Sequence, residues 1–300
     1  MLIPLLYLFV CITLIALLLA FPGIAHEGTD LGVKLFMEAL FPYLLPYLIL
    51  TQWFIRLTPN RDQTSRLKLY FKTYGISALG GFPTGAATIA FLKKTNQISK
   101  REASGLLSIC HSPSPLFVLG FVGHDLLSDT GFSWRFLILY HAVSVVMLML
   151  FYFYHRSHAL SLDVVTEQPK KHENPFVSSV KDSVPTVLVV GATIIFFTTI
   201  YTVVMHTIQS IIPNIHKNLL LFTAASLEMT NGLQISQVFF ANETTLLLVL
   251  MATFLSSQSL SIHMQVAVIA KTENISLKPY FLLRLLFTFC IPFLYFLIFL

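Results

Sequence analysis

The 300-residue chain is 55% hydrophobic and only 11% charged, with 27 Phe residues and a net charge of +5. Soluble domains carry about 25% charged residues, so lipid must be the solvent for much of this surface. The basic residues lie in short loops between apolar runs, which is positive-inside patterning and excludes a nucleic-acid-binding surface. Cys11, Cys110 and Cys290 all lie in apolar stretches without metal-ligand spacing.

In chain order, Leu2 to Phe21 is expected to be a retained spanning helix, because it has no positively charged start and exceeds a signal-peptide core. Leu35 to Leu57 is the next span, kinked by Pro42 and Pro46. Tyr74 to Leu92 carries Gly75, Gly80, Gly81, Pro83 and Gly85 and reads as a membrane hairpin. Ala103 to Gly123 is long enough to cross but is interrupted at Ser112-Pro113-Ser114-Pro115. Trp134 to Tyr154 is an uninterrupted span, and residues 155–182 form a polar cytoplasmic linker. Pro185 to Thr207 spans again. Leu219 to Phe240, with Glu228, Thr230, Asn231, Gly232 and Gln234 at its centre, is a second hairpin. Thr245 to Ala270 is interrupted at Ser256-Ser257-Gln258-Ser259, and Pro279 to Leu300 closes the chain.

These landmarks recur. Pro42 and Pro185 are 143 residues apart, Gly85 and Gly232 are 147 apart, and Ser112 and Ser257 are 145 apart. The order is conserved between the halves, and paired Gly- or Pro-interrupted segments point to inverted repeats around a midplane site. Loop charge points the same way. Arg61, Arg66 and Lys68, then Lys93, Lys94, Lys100 and Arg101, make two successive basic loops, so the first hairpin enters and leaves on the cytoplasmic side. Asp125 and Asp129 mark the outside, whereas Arg156, Lys170, Lys171 and Lys181, then Lys271 and Lys278, mark the inside. The N-terminus is then cytoplasmic, the C-terminus outside, and the halves have opposite orientations. The expected fold is an all-α polytopic membrane protein with re-entrant hairpins and discontinuous helices. Its parts are a helix within 1–30, a first repeat 31–154, the linker 155–182 and an inverted repeat 183–300.

Chemistry-bearing residues concentrate at the interruptions. A helix broken at membrane depth exposes backbone groups, and N-terminal half-helix ends suit anionic or polar ligand groups. The candidate substrate-binding residues are Pro83, Thr84 and Gly85; Ser112 and Ser114; Glu228, Thr230, Asn231 and Gly232; Ser256, Ser257, Gln258 and Ser259; and His263 and Gln265. Read blandly, the serines and Gln258 are interhelical glue. Glu228 is an acid deep in an apolar stretch, where a charge costs at least about 2.5 kcal/mol and takes a partner or a job. Arg284 and Arg135 sit near expected helix ends and read as snorkelling. His155, His158 and His172 offer no plausible metal-ligand set. There is no phosphate-binding Gly-rich Lys loop, no Gly-x-Ser-x-Gly elbow and no His-Glu-x-x-His helix, so no enzyme is expected. No cofactor is implied, beyond H+ or Na+ as a coupling ion. The expected partners are the bilayer, a small polar solute and, at most, further copies of the chain.

Three runs then carry a resemblance. Gly81-Phe82-Pro83-Thr84-Gly85-Ala86-Ala87, Ile98-Ser99-Lys100-Arg101-Glu102-Ala103 and Ser112-Pro113-Ser114-Pro115-Leu116-Phe117 resemble the nucleoside-recognition, or Gate, domain family of membrane proteins, on its sporulation branch. Leu227 to Gly232 and Phe254 to Gln265 are similar to the same family, so the likeness covers roughly Leu35 to Leu286. The resemblance implies a bacterial cell-membrane permease whose solute is a nucleoside or an envelope precursor. The alternative is a non-transporting sporulation or envelope protein on the same scaffold.

Overall fold

The computed structural model describes residues 2–57, 65–157 and 174–300. Arg61, His158, Lys170, Lys171 and His172, named above, lie outside the described residues. Every regular element among the described residues is helical. Among the described residues four helical stretches, one of them broken at Gln258 and Ser259, are long and apolar enough to cross a membrane, or five if one bent pair counts as a span. The chain is therefore an all-α polytopic membrane protein.

α1 (Leu2–Ala20) is exposed almost all round, as a lipid-facing helix should be. The chain bends at Phe21, where Pro4–Ala20 and Pro22–Glu38 meet at 102°. Residues 22–34, left without an element by the sequence, are helical as α2 (Pro22–Lys34). Pro22 explains the start, since a first-turn proline gives up an N–H that a helix leaves unbonded anyway. α2 continues through a π-helical turn at Leu35–Leu40 into α3 (Phe41–Leu57). That turn immediately precedes Pro42, where the missing N–H disturbs the hydrogen-bond ladder.

α4 (Arg66–Gly80) and α5 (Phe82–Lys94) are separated by Gly81 alone, at φ 80°. That conformation is open to glycine and strained for other residues. The chain folds back there, because a Cβ placed on Gly85 would lie 3.3 Å from Cβ of Ser77. Residues eight apart in one helix would be about 12 Å apart. α9 (Lys217–Leu227) and α10 (Met229–Phe240) repeat the fold-back around Glu228, with Gly232 against Ala225. Both expected hairpins are therefore present as helical hairpins.

α6 (Lys100–Ile109) starts in a capping box, Ser99 with Glu102. It ends before the irregular stretch 110–114, after which the chain is π-helical over Phe117–Leu126. α7 (Thr130–Ser157) and α8 (Pro175–Ile211) both overrun their expected bounds, leaving only part of 155–182 between them. Pro185, expected to open a span, lies inside α8. α11 (Thr244–Ser257) and α12 (Leu260–Thr272) together form one apolar stretch broken only at Gln258 and Ser259. α13 (Lys278–Phe299) is the last helix.

One buried cluster joins the halves, with Ile89, Leu107, Val118 and Tyr140 packed in the same core as Leu233, Met251, Val266 and Phe287. α5 packs on α12, α6 on α13, and both α2 and α3 on α8. Gly28 and Gly32 permit the α2–α8 approach, since an added Cβ would fall 2.8 Å from Thr202 or Ile195.

Candidate functional site

Three of the helix interruptions, the two hairpin tips and the break after α6, converge on one cavity of about 60 Å³, room for a few waters. The tip of the first hairpin lines it through Gly80 to Pro83, and the tip of the second through Glu228, Met229 and Thr230. Ser114, Leu116 and Phe117 close it from the break after α6, and Ile262 and Gln265 from α12. Leu44 and Tyr47 of α3, with Val190 and Ile194 of α8, complete the wall.

Helix N-termini meet at this cavity. Gly81 caps α5 and Glu228 caps α10. The Glu228 carboxylate accepts from the Asn231 backbone N–H at 3.0 Å, occupying one orphan donor of the first turn. Thr230 Oγ1 donates to the same carboxylate at 3.4 Å. Ser114 Oγ accepts from the Phe117 N–H at 3.1 Å. Apart from Gln265 and Tyr47 the rest of the wall is apolar, so a ligand here meets a few polar groups, mostly at helix ends, within a hydrophobic shell.

Of the residues singled out by sequence, Pro83, Ser114, Glu228, Thr230 and Gln265 line the cavity. Gln265 also reaches α8, where its Nε2 donates to Thr193 Oγ1 at 3.1 Å. The others are placed behind it. Thr84 Oγ1 donates to the Gly80 carbonyl at 3.0 Å. Gly85 abuts the Cys110 carbonyl, where an added Cβ would come within 2.0 Å. Asn231 Nδ2 donates to Thr198 Oγ1 at 3.3 Å, and Gly232 packs on α9. Ser112 and Ser256 are buried with hydroxyls that have no hydrogen-bond partner among the described residues. Ser257 Oγ donates to the Phe254 carbonyl at 3.4 Å, and Ser259 and Ser261 share a bond of 3.1 Å.

Gln258 and His263 join a network that the sequence did not disclose. Tyr280 Oη donates to Gln258 Oε1 at 3.0 Å and lies 2.8 Å from His263 Nδ1. Arg284, one turn further along α13, is 2% exposed, which corrects the snorkelling reading. Its guanidinium donates to the Ser108 carbonyl at 3.0 Å and to Tyr140 Oη, and lies 4.7 Å from the Phe287 ring centre. The available signal was the spacing of Tyr280 and Arg284, which share a helix face inside an apolar run. A charge there is a resident of the protein interior by default. Arg135 keeps its helix-end character, half exposed and 3.6 Å from Asp129.

Sporulation integral membrane protein YlbJ of Bacillus subtilis (strain 168) is 32% identical to this chain over 120 residues. That alignment covers 36% of this chain and 29% of the relative, so the chain spans under a third of the length of the curated relative it matches. No protein-family model matches the chain, and no solved structure matches it.

Proposed function

We propose that this protein is a permease for a small polar solute, built from two inverted repeats that alternate access around the cavity. One observation carries the reading. Residues 81–83 and 228–230 line the cavity together, and they are 147 residues apart, the offset between Gly85 and Gly232. Phe117 and Ile262 also both line it, at the 145-residue offset of the other landmark. Supporting it further, α3 and α8, which carry Pro42 and Pro185, pack on one another and both supply wall residues. Equivalent elements meeting at one site is the arrangement of inverted-repeat transporters. In this reading 31–154 and 183–300 are the repeats, the N-terminus is cytoplasmic and the C-terminus outside. Once alternating access opens the cavity beyond its present volume of about 60 Å³, the solute presents electronegative atoms to the helix ends and an apolar body to the wall; a nucleoside or an envelope precursor has that form. In this reading Glu228, which lines the cavity, binds the solute or exchanges a coupling proton.

Uptake into proteoliposomes across a panel of polar solutes tests this. Wild type is expected to accumulate at least one solute, and Glu228→Gln to lose at least 90% of that uptake while keeping its thermal midpoint. A non-transporting role on the same scaffold is the second reading, favoured by the name of the Bacillus subtilis relative, a sporulation integral membrane protein. It prevails if no solute binds and Glu228→Ala and Ser257→Ala variants still complement a deletion strain.

A further inference from the structure

We infer that α13 is a clasp that holds both interrupted helices at once, through two side chains one turn apart. Arg284 and Tyr280 line none of the cavity wall. Each nevertheless grips one interruption.

The first interruption leaves the carbonyls of the α6 end without helical partners. Arg284 takes one of them directly, donating to the Ser108 carbonyl at 3.0 Å. It also reaches the irregular stretch itself through Tyr140, whose hydroxyl accepts from Arg284 and donates to the His111 carbonyl at 2.9 Å. A cation at a helix C-terminus is also favoured by the backbone dipole. Among the described residues Arg284 has no carboxylate partner, so carbonyls and the rings of Phe287, Tyr280 and Tyr140 offset its charge. The forked guanidinium reaches two acceptors, which a lysine ammonium on a flexible stem does not reproduce.

The second interruption is held from the other side chain. Gln258 sits at φ 66°, a conformation disfavoured for any residue with a Cβ. Tyr280 Oη donates to its Oε1 at 3.0 Å and so fixes the side chain of the strained residue. Tyr280 also stacks edge-on against His111 of the first interruption, with ring centres 5.2 Å apart. A single rigid helix thus sets the register of both breaks, whether or not a solute crosses the protein.

Thiol labelling of the purified full chain tests the clasp without any solute. Cys110 is buried at the first break and serves as its native reporter. Cys110 is read with Cys11 and Cys290 replaced by serine, and Ser257→Cys reports the second break with all three native cysteines replaced by serine. Arg284→Lys and Tyr140→Phe are each expected to raise Cys110 labelling about tenfold, the scale of one lost buried hydrogen bond. Tyr280→Phe keeps the ring against His111; it is expected to raise Ser257→Cys labelling about tenfold and to leave Cys110 within about twofold. Leu148→Ala, a buried cavity mutation on α7, controls for general loosening and is expected to leave both reporters within about twofold. The clasp is overturned if Tyr140→Phe and Arg284→Lys leave Cys110 at the wild-type rate, or if Tyr280→Phe leaves Ser257→Cys unchanged. It is also overturned if Leu148→Ala raises both reporters as much. Should Arg284→Lys fail to fold, the two tyrosine variants decide the matter alone.

Discussion

The two hairpin tips reach the same cavity by different chemistry. The first turns on Gly81, at φ 80°, and is sealed by Gly85 against the Cys110 carbonyl. The second turns on Glu228, in extended backbone, and secures its new helix with a carboxylate cap on Asn231. A turn made with glycine is rigid because nothing larger fits, whereas one made with a capping side chain depends on a hydrogen bond. The first tip should therefore be the more sensitive to added volume, and the second should depend in addition on a polar group.

The largest effect is expected from Gly85→Ala. The new methyl would sit 2.0 Å from a backbone oxygen, and backbone cannot swing aside. Separation of α5 from the 110–114 stretch, at a cost of about 3 kcal/mol or more, is the expected response. Thermal unfolding in detergent should show a large drop or no folded protein. Gly232→Ala brings its methyl to 2.5 Å from Cα and Cβ of Ala225, a less severe contact between two helices of one hairpin. About 2 kcal/mol is expected there. If Gly232→Ala proves the more damaging, the contrast between the tips is reversed.

The polar side of the comparison is next in size. Glu228→Ala removes the α10 cap and should cost about 1 kcal/mol, read from the same unfolding scans. Ser114→Ala removes the cap after the first break, and a similar or smaller cost is expected. Gly81→Ala combines a positive φ with a methyl 2.6 Å from Cβ of Ser114 and should cost more than either cap; a merely comparable loss would show that the glycine turn carries no more weight than a cap.

Much of this was legible because the interruptions are written in residues with strong local rules. Gly81-Phe82-Pro83-Thr84-Gly85 and Glu228 to Gly232 marked the two fold-backs, and Ser112 to Ser114 and Ser256 to Ser259 marked the two breaks. All four lie where the chain leaves regular α-helix. What composition could not tell was direction. Thr84, Asn231 and Ser259 are as polar as Ser114 and Thr230, yet their side chains turn back to Gly80, Thr198 and Ser261. Which polar group faces the cavity follows from helix rotation, and a short irregular segment carries no periodicity from which to read it. Residues 22–34 escaped for another reason. His26, Glu27, Thr29 and Asp30 are polar enough to suggest a loop, yet α2 packs on α8, with Thr29 and Thr199 hydroxyls 3.1 Å apart. Arg284 was misread because an apolar run with one charge looks the same whether that charge faces lipid or protein.

The smallest expected effect provides the sharpest control on the glycine argument. Gly75 lies inside α4, five residues before the cavity-lining Gly80, in the same glycine-rich run that marked the hairpin. A Cβ added to it would meet nothing within 4 Å. Its φ is not among the positive ones. Nothing in the packing therefore requires glycine at this position, and alanine has the higher helix propensity by about 1 kcal/mol. Gly75→Ala should leave the fold intact and raise stability by about 0.5–1 kcal/mol in the detergent scans. Because the two substitutions add the same methyl to the same hairpin, their difference isolates the Cys110 carbonyl contact from any general intolerance of the run. Should Gly75→Ala destabilise as strongly as Gly85→Ala, the hairpin would need flexibility rather than close approach, and the steric account of its tip would fail.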